Sequence, residues 1–176
     1  MDNELSLLNC AVPGMSGIGI SAVDSSASLL CGRPHGGVAF LWQKSLGYNA
    51  HYLYSGYKWC LAISLTDNKG NTLTVVNVYY PCDCYGNVGK YLDYLGKTQA
   101  FISDVVGPYI ILGDFNCNPL APNFPCGKLL NDFIEDYDLV LIDGSLPAGS
   151  LTFVSDVWHS TSCLDHCLGP QYILND

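Results

Sequence analysis

The chain has 176 residues, 49% apolar and only 13% charged, which is enough apolar material for a folded domain and the wrong balance for a disordered one. Its 16 acidic residues outnumber the 7 basic ones and leave a net charge of −9, so it lacks the basic footprint with which nucleic-acid binders displace phosphate counterions. No apolar run approaches the roughly 18 residues of a membrane span, and Met1-Asp2-Asn3-Glu4 carries no basic leader segment, so an intracellular, non-secreted chain without membrane contact is expected.

Taken in chain order, residues 14–31 are rich in Gly and Ser and read as loop, with a short strand from Gly19 to Val23. Val38 to Trp42 is an apolar run of strand length. Tyr57 to Leu65 and Thr72 to Tyr80 read as two strands joined by the turn Asp67-Asn68-Lys69-Gly70-Asn71. Over residues 88–106 the period changes: Leu92, Leu95, Gln99, Ile102 and Val106 recur at steps of three and four and predict a helix with that face inward, ended by Gly107-Pro108. Tyr109 to Leu112 is apolar on both faces and reads as a strand buried between layers. A second helix is marked by Leu129, Leu130, Phe133, Ile134 and Tyr137, and Leu139 to Ile142, Ser150 to Ser155 and Ser162 to Leu168 read as strands. Strand-rich stretches bracketing two helices predict stacked sheets with helices outside.

Nine cysteines are an odd count, which fits free thiols in a reducing compartment. Cys82-x-Cys84 and Cys163-x-x-His166-Cys167 lack the spacing of a common zinc finger, and the reading adopted is of small buried hydrophobes. Asp114 follows the doubly apolar strand in Gly113-Asp114-Phe115-Asn116. An acid and an amide at a sheet rim suit a water or metal beside a phosphate, and equally a turn that bonds only its own backbone. Tyr79 in Asn77-Val78-Tyr79-Tyr80-Pro81 reads, taken alone, as a core aromatic, and Thr152 as a strand threonine. Asp165 needs a partner if buried, and its neighbour His166 points to the opposite strand face and reads as a hydrogen-bonded or surface histidine.

Gly113-Asp114-Phe115-Asn116, Asn77-x-Tyr79-x-Pro81, Thr152-Phe153 and Leu164-Asp165-His166 stand in the order used by the endonuclease/exonuclease/phosphatase superfamily. Gly32-Arg33-Pro34-His35-Gly36-Gly37-Val38-Ala39-Phe40-Leu41-Trp42 and Ser160-Thr161-Ser162-Cys163-Leu164-Asp165-His166 resemble the endonuclease domain of LINE-type (non-LTR) retrotransposons. The resemblance implies an α/β (α+β) fold: a four-layer αββα sandwich of two packed mixed β-sheets with outer helices, as a single partial domain over residues 1–176, incomplete at both ends. It implies metal-dependent hydrolysis of DNA phosphodiesters with Mg2+ or Mn2+, target-site nicking beside a reverse transcriptase, no small-molecule cofactor and a nuclear location. Asp114 would orient or deprotonate the attacking water, Asn116 would hold the phosphate or water, and both would serve the metal. Tyr79 would donate to a phosphate oxygen, Thr152 would bond the phosphate or brace the site, and Asp165 would orient a catalytic histidine.

The family's first active-site Asn, its Gln-Glu metal ligand and its closing Ser-Asp-His find no counterpart in residues 1–176. The only glutamates are Glu4, without a preceding Gln, and Glu135, on the solvated side of the second helix. Impaired or absent nicking and weak DNA binding are therefore expected. A non-catalytic relic or interaction module, and phosphatase chemistry on the same fold, stand as alternatives.

Overall fold

Short β-branched runs and tight turns build the first part of the computed structural model, which describes residues 8, 12–21, 37–120, 125–142, 151–155 and 159–175. The chain divides into two compact units, Met1–Tyr79 and Tyr80–Asp176.

In the first unit β1 (Met15–Ile20) pairs antiparallel with β2 (Val38–Gln43), Ile20 opposite Val38. The strand expected at Gly19 to Val23 thus starts earlier, and Ala22 and Val23 lie outside the described residues. Gly19 has a packing reason: a Cβ there would meet the Cβ of Ala39 at 3.0 Å, so a side chain would push the two strands apart. β3 (Asn49–Leu53), β4 (Cys60–Thr66) and β5 (Thr72–Tyr79) form an antiparallel series in that order. β4 begins after Tyr57-Lys58-Trp59, later than the apolar pattern indicates. The turn behaves as its residues predict: Asp67 Oδ1 accepts the backbone N–H groups of Lys69 and Asn71, both at 2.8 Å, and Gly70 takes φ +88°. Leu61, Ala62 and Val76 are fully buried, and each large apolar side chain so placed contributes roughly 1.5–3 kcal/mol. Asn77 Nδ2 donates to the Ala39 carbonyl at 2.9 Å and ties β5 to β2.

In the second unit α1 (Val88–Ser103) is followed by β6 (Tyr109–Asp114), α2 (Pro125–Asp136) and β7 (Leu139–Leu141). The short hairpin β8 (Phe153–Ser155) and β9 (Ser160–Ser162) precedes β10 (Asp165–Pro170), so the single strand expected from Ser162 to Leu168 is two, parted at Cys163-Leu164. β10 lies between β6 and β7, antiparallel to both. Ile111 is fully buried on β6, while Tyr109, Ile110 and Leu112 are half-buried.

The helix α1 is rotated from the face its leucines indicate. Tyr91, Leu95, Thr98 and Ile102 are buried, whereas Leu92 is 49% exposed and Val106 lies beyond the helix at 95%. The physical reason is hydrogen bonding: Tyr91 Oη donates to the Phe115 carbonyl at 3.1 Å, and Tyr80 Oη meets Thr98 Oγ1 at 2.7 Å. Two hydroxyls that hydropathy marks as surface groups thereby enter the core at little cost. Among the described residues no helix is long and apolar enough to cross a membrane. The described cysteines are free thiols; Cys60, Cys117 and Cys126 are buried as expected, but Cys82 and Cys84 are exposed.

Candidate active site on the β6–β10 rim

Antiparallel register sets the two acids side by side. Asp114 at the end of β6 is the direct partner of Asp165 at the start of β10. Directly opposed residues share a sheet face with Cβ atoms on the order of 5 Å apart. One step along, His166 lies opposite Gly113, on the other face, and is buried. Alternation thus separates Asp165 from His166 as the sequence indicates. The ring is a hydrogen-bonded core histidine: its Nε2 donates to the Cys117 carbonyl at 2.9 Å.

Asn116 sits in the left-handed region, φ +52°, which asparagine tolerates better than most residues. Its backbone N–H donates to Asp114 Oδ1 at 2.8 Å and its Nδ2 donates to the Tyr80 carbonyl at 2.9 Å. Beneath this turn lies an aromatic platform. Phe115 is fully buried, its ring centroid 5.1 Å from Tyr80 and 6.0 Å from His166, and Tyr80 meets Tyr91 edge-on at 5.1 Å. The residue that serves as core aromatic is therefore Tyr80. Tyr79, half-buried, ends β5 in the first unit, its N–H donating to the Trp59 carbonyl at 2.9 Å.

Thr152 does more than line a strand. Its Oγ1 accepts the backbone N–H groups of Leu164 at 2.9 Å and Asp165 at 3.1 Å, while the Leu164 carbonyl accepts the Phe115 N–H at 2.9 Å. The start of β10 is thus held from both sides. Thr152→Val, nearly isosteric, is expected to lower stability by about 1 kcal/mol and to speed amide exchange at Leu164 and Asp165. Thr152→Ser should leave both unchanged; equal exchange in the Val variant would show that the hydroxyl does not hold this loop.

Burial, first, holds the Asp114 carboxyl above the ordinary carboxylate range; the Asn116 N–H opposes this, the Asp165 charge adds to it, and His166 opposes it. Burial pushes the Cys117 thiol up to about 12, so it stays protonated and unreactive. Asp83, which the sequence did not single out, anchors the turn to α2: its N–H donates to the Asn116 carbonyl at 3.2 Å and its Oδ1 accepts the Cys126 N–H at 3.1 Å in the first turn of the helix. Asp114, Asn116, Asp165 and Thr152 are thus brought together within one unit.

Neither a protein-family model nor a curated protein sequence matches the chain. Solved structures do. Over 98% of its length the chain follows the endonuclease domain of TRAS1, a telomere-specific non-LTR retrotransposon, at 12% identity and a TM-score of 0.69, spanning 80% of that chain. It follows an endonuclease/exonuclease/phosphatase family protein from Bacteroides thetaiotaomicron over 97% of its length, at 15% identity and a TM-score of 0.57, spanning 64% of it. It also follows D. rerio TDP2, complexed with single-strand DNA product, over 96% of its length at 10% identity and a TM-score of 0.53, spanning 75% of it. The chain therefore has the fold of the endonuclease/exonuclease/phosphatase proteins, as its motif order indicates.

Proposed function

We propose that the chain is a metal-dependent phosphodiesterase of the DNA-nicking, retrotransposon-endonuclease kind, one domain in a four-layer sandwich, and slow as it stands. The observation that supports this reading is the facing pair Asp114 and Asp165 on a turn pinned from below. Among the described residues the one ion pair joins Lys97 to Asp93, so neither of these two acids is in an ion pair there. Like charges directly opposed on a sheet are unfavourable, and such a pair is retained most readily where a cation is to be met.

The donor set fits magnesium or manganese: two carboxylates and the Asn116 amide oxygen are hard oxygen ligands, and magnesium commonly takes one or two carboxylates and keeps its waters. Among the described residues no three His, Cys, Asp or Glu side chains form a closed cage. When bound, the ion would supply positive charge to the phosphate and acidify a nearby water. Asp114, with its carboxyl held high by burial, accepts a proton from the attacking water better than an exposed aspartate does. Asn116 steadies that carboxylate through its N–H and presents an amide to a phosphate oxygen. Thr152 fixes the backbone of Asp165. The histidine that Asp165 would orient is not His166, which is turned to the opposite face.

DNA as the substrate is supported by the retrotransposon endonuclease among the similar structures. Scattered lysines and the net charge of −9 make affinity weak and steeply salt-dependent. The test is nicking of supercoiled plasmid with magnesium. The expected result is slow nicking, abolished by chelator and by Asp114→Ala. Nicking undiminished in that variant would overturn the site. A cooperatively folded chain that neither nicks nor binds magnesium would favour the non-catalytic reading, which the acidic charge also supports.

A further inference from the structure

The rotation of α1 leaves a second feature, formed by residues other than those of the β6–β10 rim. Leu92 and Gln99, which hydropathy assigns to the core, instead form one wall of an open groove against α2, with a cavity volume of about 380 Å3. Leu95 and Phe133 are nearly buried and form its floor, while Leu92 and Tyr137 stand 49% and 43% exposed at its edges. Asp132 and Asp136, one helical turn apart on α2, complete the rim and are exposed.

Two observations indicate what occupies it. The first is an orphan acceptor. Gln99, which lines the groove, donates its Nε2 to Ser103 Oγ at 3.0 Å, but its Oε1, shielded from solvent, has no hydrogen-bond partner among the described residues. A buried carbonyl oxygen left without a donor is unfavourable, and an incoming N–H removes that cost. The second is charge. Asp132 and Asp136 have no ion-pair partner among the described residues, where Lys97 with Asp93 is the one such pair. The groove therefore offers an apolar floor, a carbonyl wanting a donor and two unneutralised carboxylates at helical spacing.

We propose that the α1–α2 groove is a docking site for a basic amphipathic helix of a partner protein, with leucine-like side chains entering the floor and arginines meeting Asp132 and Asp136. This is the helix-in-groove mode of recognition, in which the apolar face gives area and the charged flanks give register. A second copy of the chain is a poor occupant, since it carries 16 acids against 7 bases. Nucleic acid is excluded by the acidic rim.

The probe is a short amphipathic helical peptide of leucine and arginine on an alanine frame, dye-labelled and titrated with the full chain. Saturable binding in the micromolar range is expected, with amide NMR shifts confined to α1 and α2. Asp132→Asn with Asp136→Asn should weaken it about tenfold, and Leu92→Glu, at an exposed position, at least as much. Asp104→Asn with Asp138→Asn removes equal charge at residues that do not line the groove and should change affinity clearly less than the first pair. Equal loss in both double variants, equal binding of a peptide with glutamate in place of arginine, or shifts spread over the acidic surface would each overturn the proposal. So would a dimer of the chain that Leu92→Glu dissociates, since the groove would then be filled by a second copy. None of these readouts depends on nicking.

Discussion

Replacing Asp114 with asparagine should raise the thermal midpoint at neutral pH while removing whatever magnesium-dependent nicking the chain shows. The carboxyl is half-buried and held above the ordinary range by that burial, with the facing Asp165 adding to it. A carboxyl whose folded pKa exceeds its unfolded one protonates more readily in the fold. Its contribution is most favourable below the unfolded value and is lost as pH rises through the folded value. At pH 7 the ionised Asp114 therefore works against folding. Asparagine removes that charge and keeps an oxygen for the Asn116 N–H, which now meets Asp114 Oδ1 at 2.8 Å. The gain, discounted for partial solvent screening, is on the order of 1–3 °C, and it should shrink toward nothing as the pH falls below about 4. Magnesium should raise the midpoint of the parent chain and leave that of the variant nearly unmoved, because only the parent keeps both carboxylates. Nicking should fall by about a thousandfold, the usual scale for losing a general base. A variant less stable than the parent at pH 7, or equally stabilised by magnesium, would show that Asp114 serves the fold and not an ion.

How legible these features are in the sequence depends on the range of the interactions that create them. The β4–β5 hairpin is local: β-branched runs flank an Asp-Asn-Lys-Gly-Asn turn whose bonds span at most four residues, so pattern and structure agree. β3 escapes because Asn49-Ala50-His51-Tyr52-Leu53 lies at the end of its series of strands with three of five side chains exposed, and shows no apolar alternation. The face of α1 is ambiguous for a different reason. Leu92-Leu95-Gln99-Ile102 and Tyr91-Leu95-Thr98-Ile102 both satisfy helical spacing, and only the distant carbonyl of Phe115 and hydroxyl of Tyr80 favour the second. The acid–amide turn at Asp114 is readable as a tetrapeptide after an apolar strand. Its pairing with Asp165, the brace from Thr152 and the anchor from Asp83 join residues 12 to 51 positions apart, which spacing alone does not reveal.

Truncating the platform under that turn should have the largest effect on the fold. Phe115 lies between Asp114 and Asn116 in sequence, is fully buried, and packs on Tyr80 and His166. Phe115→Ala removes that ring and leaves a cavity, at a cost of about 3–5 kcal/mol, which for a chain of this size lowers the midpoint by roughly 6–20 °C. The backbone carbonyls on either side of Asn116 are held by Tyr91 and His166, so the loss propagates to the turn that carries Asp114 and Asn116. Phe115→Leu, which keeps most of the apolar volume, should cost closer to 1–2 kcal/mol and remain folded. The informative readout is the titration of Asp114 in that milder variant. If the platform keeps the carboxyl half-buried, loosening it admits water, and the carboxyl should move back toward the ordinary carboxylate range, detectable by NMR titration of the side chain. A midpoint that drops while the Asp114 titration stays unchanged would mean that the strands, and not the aromatic cluster beneath them, set the acidity of the site.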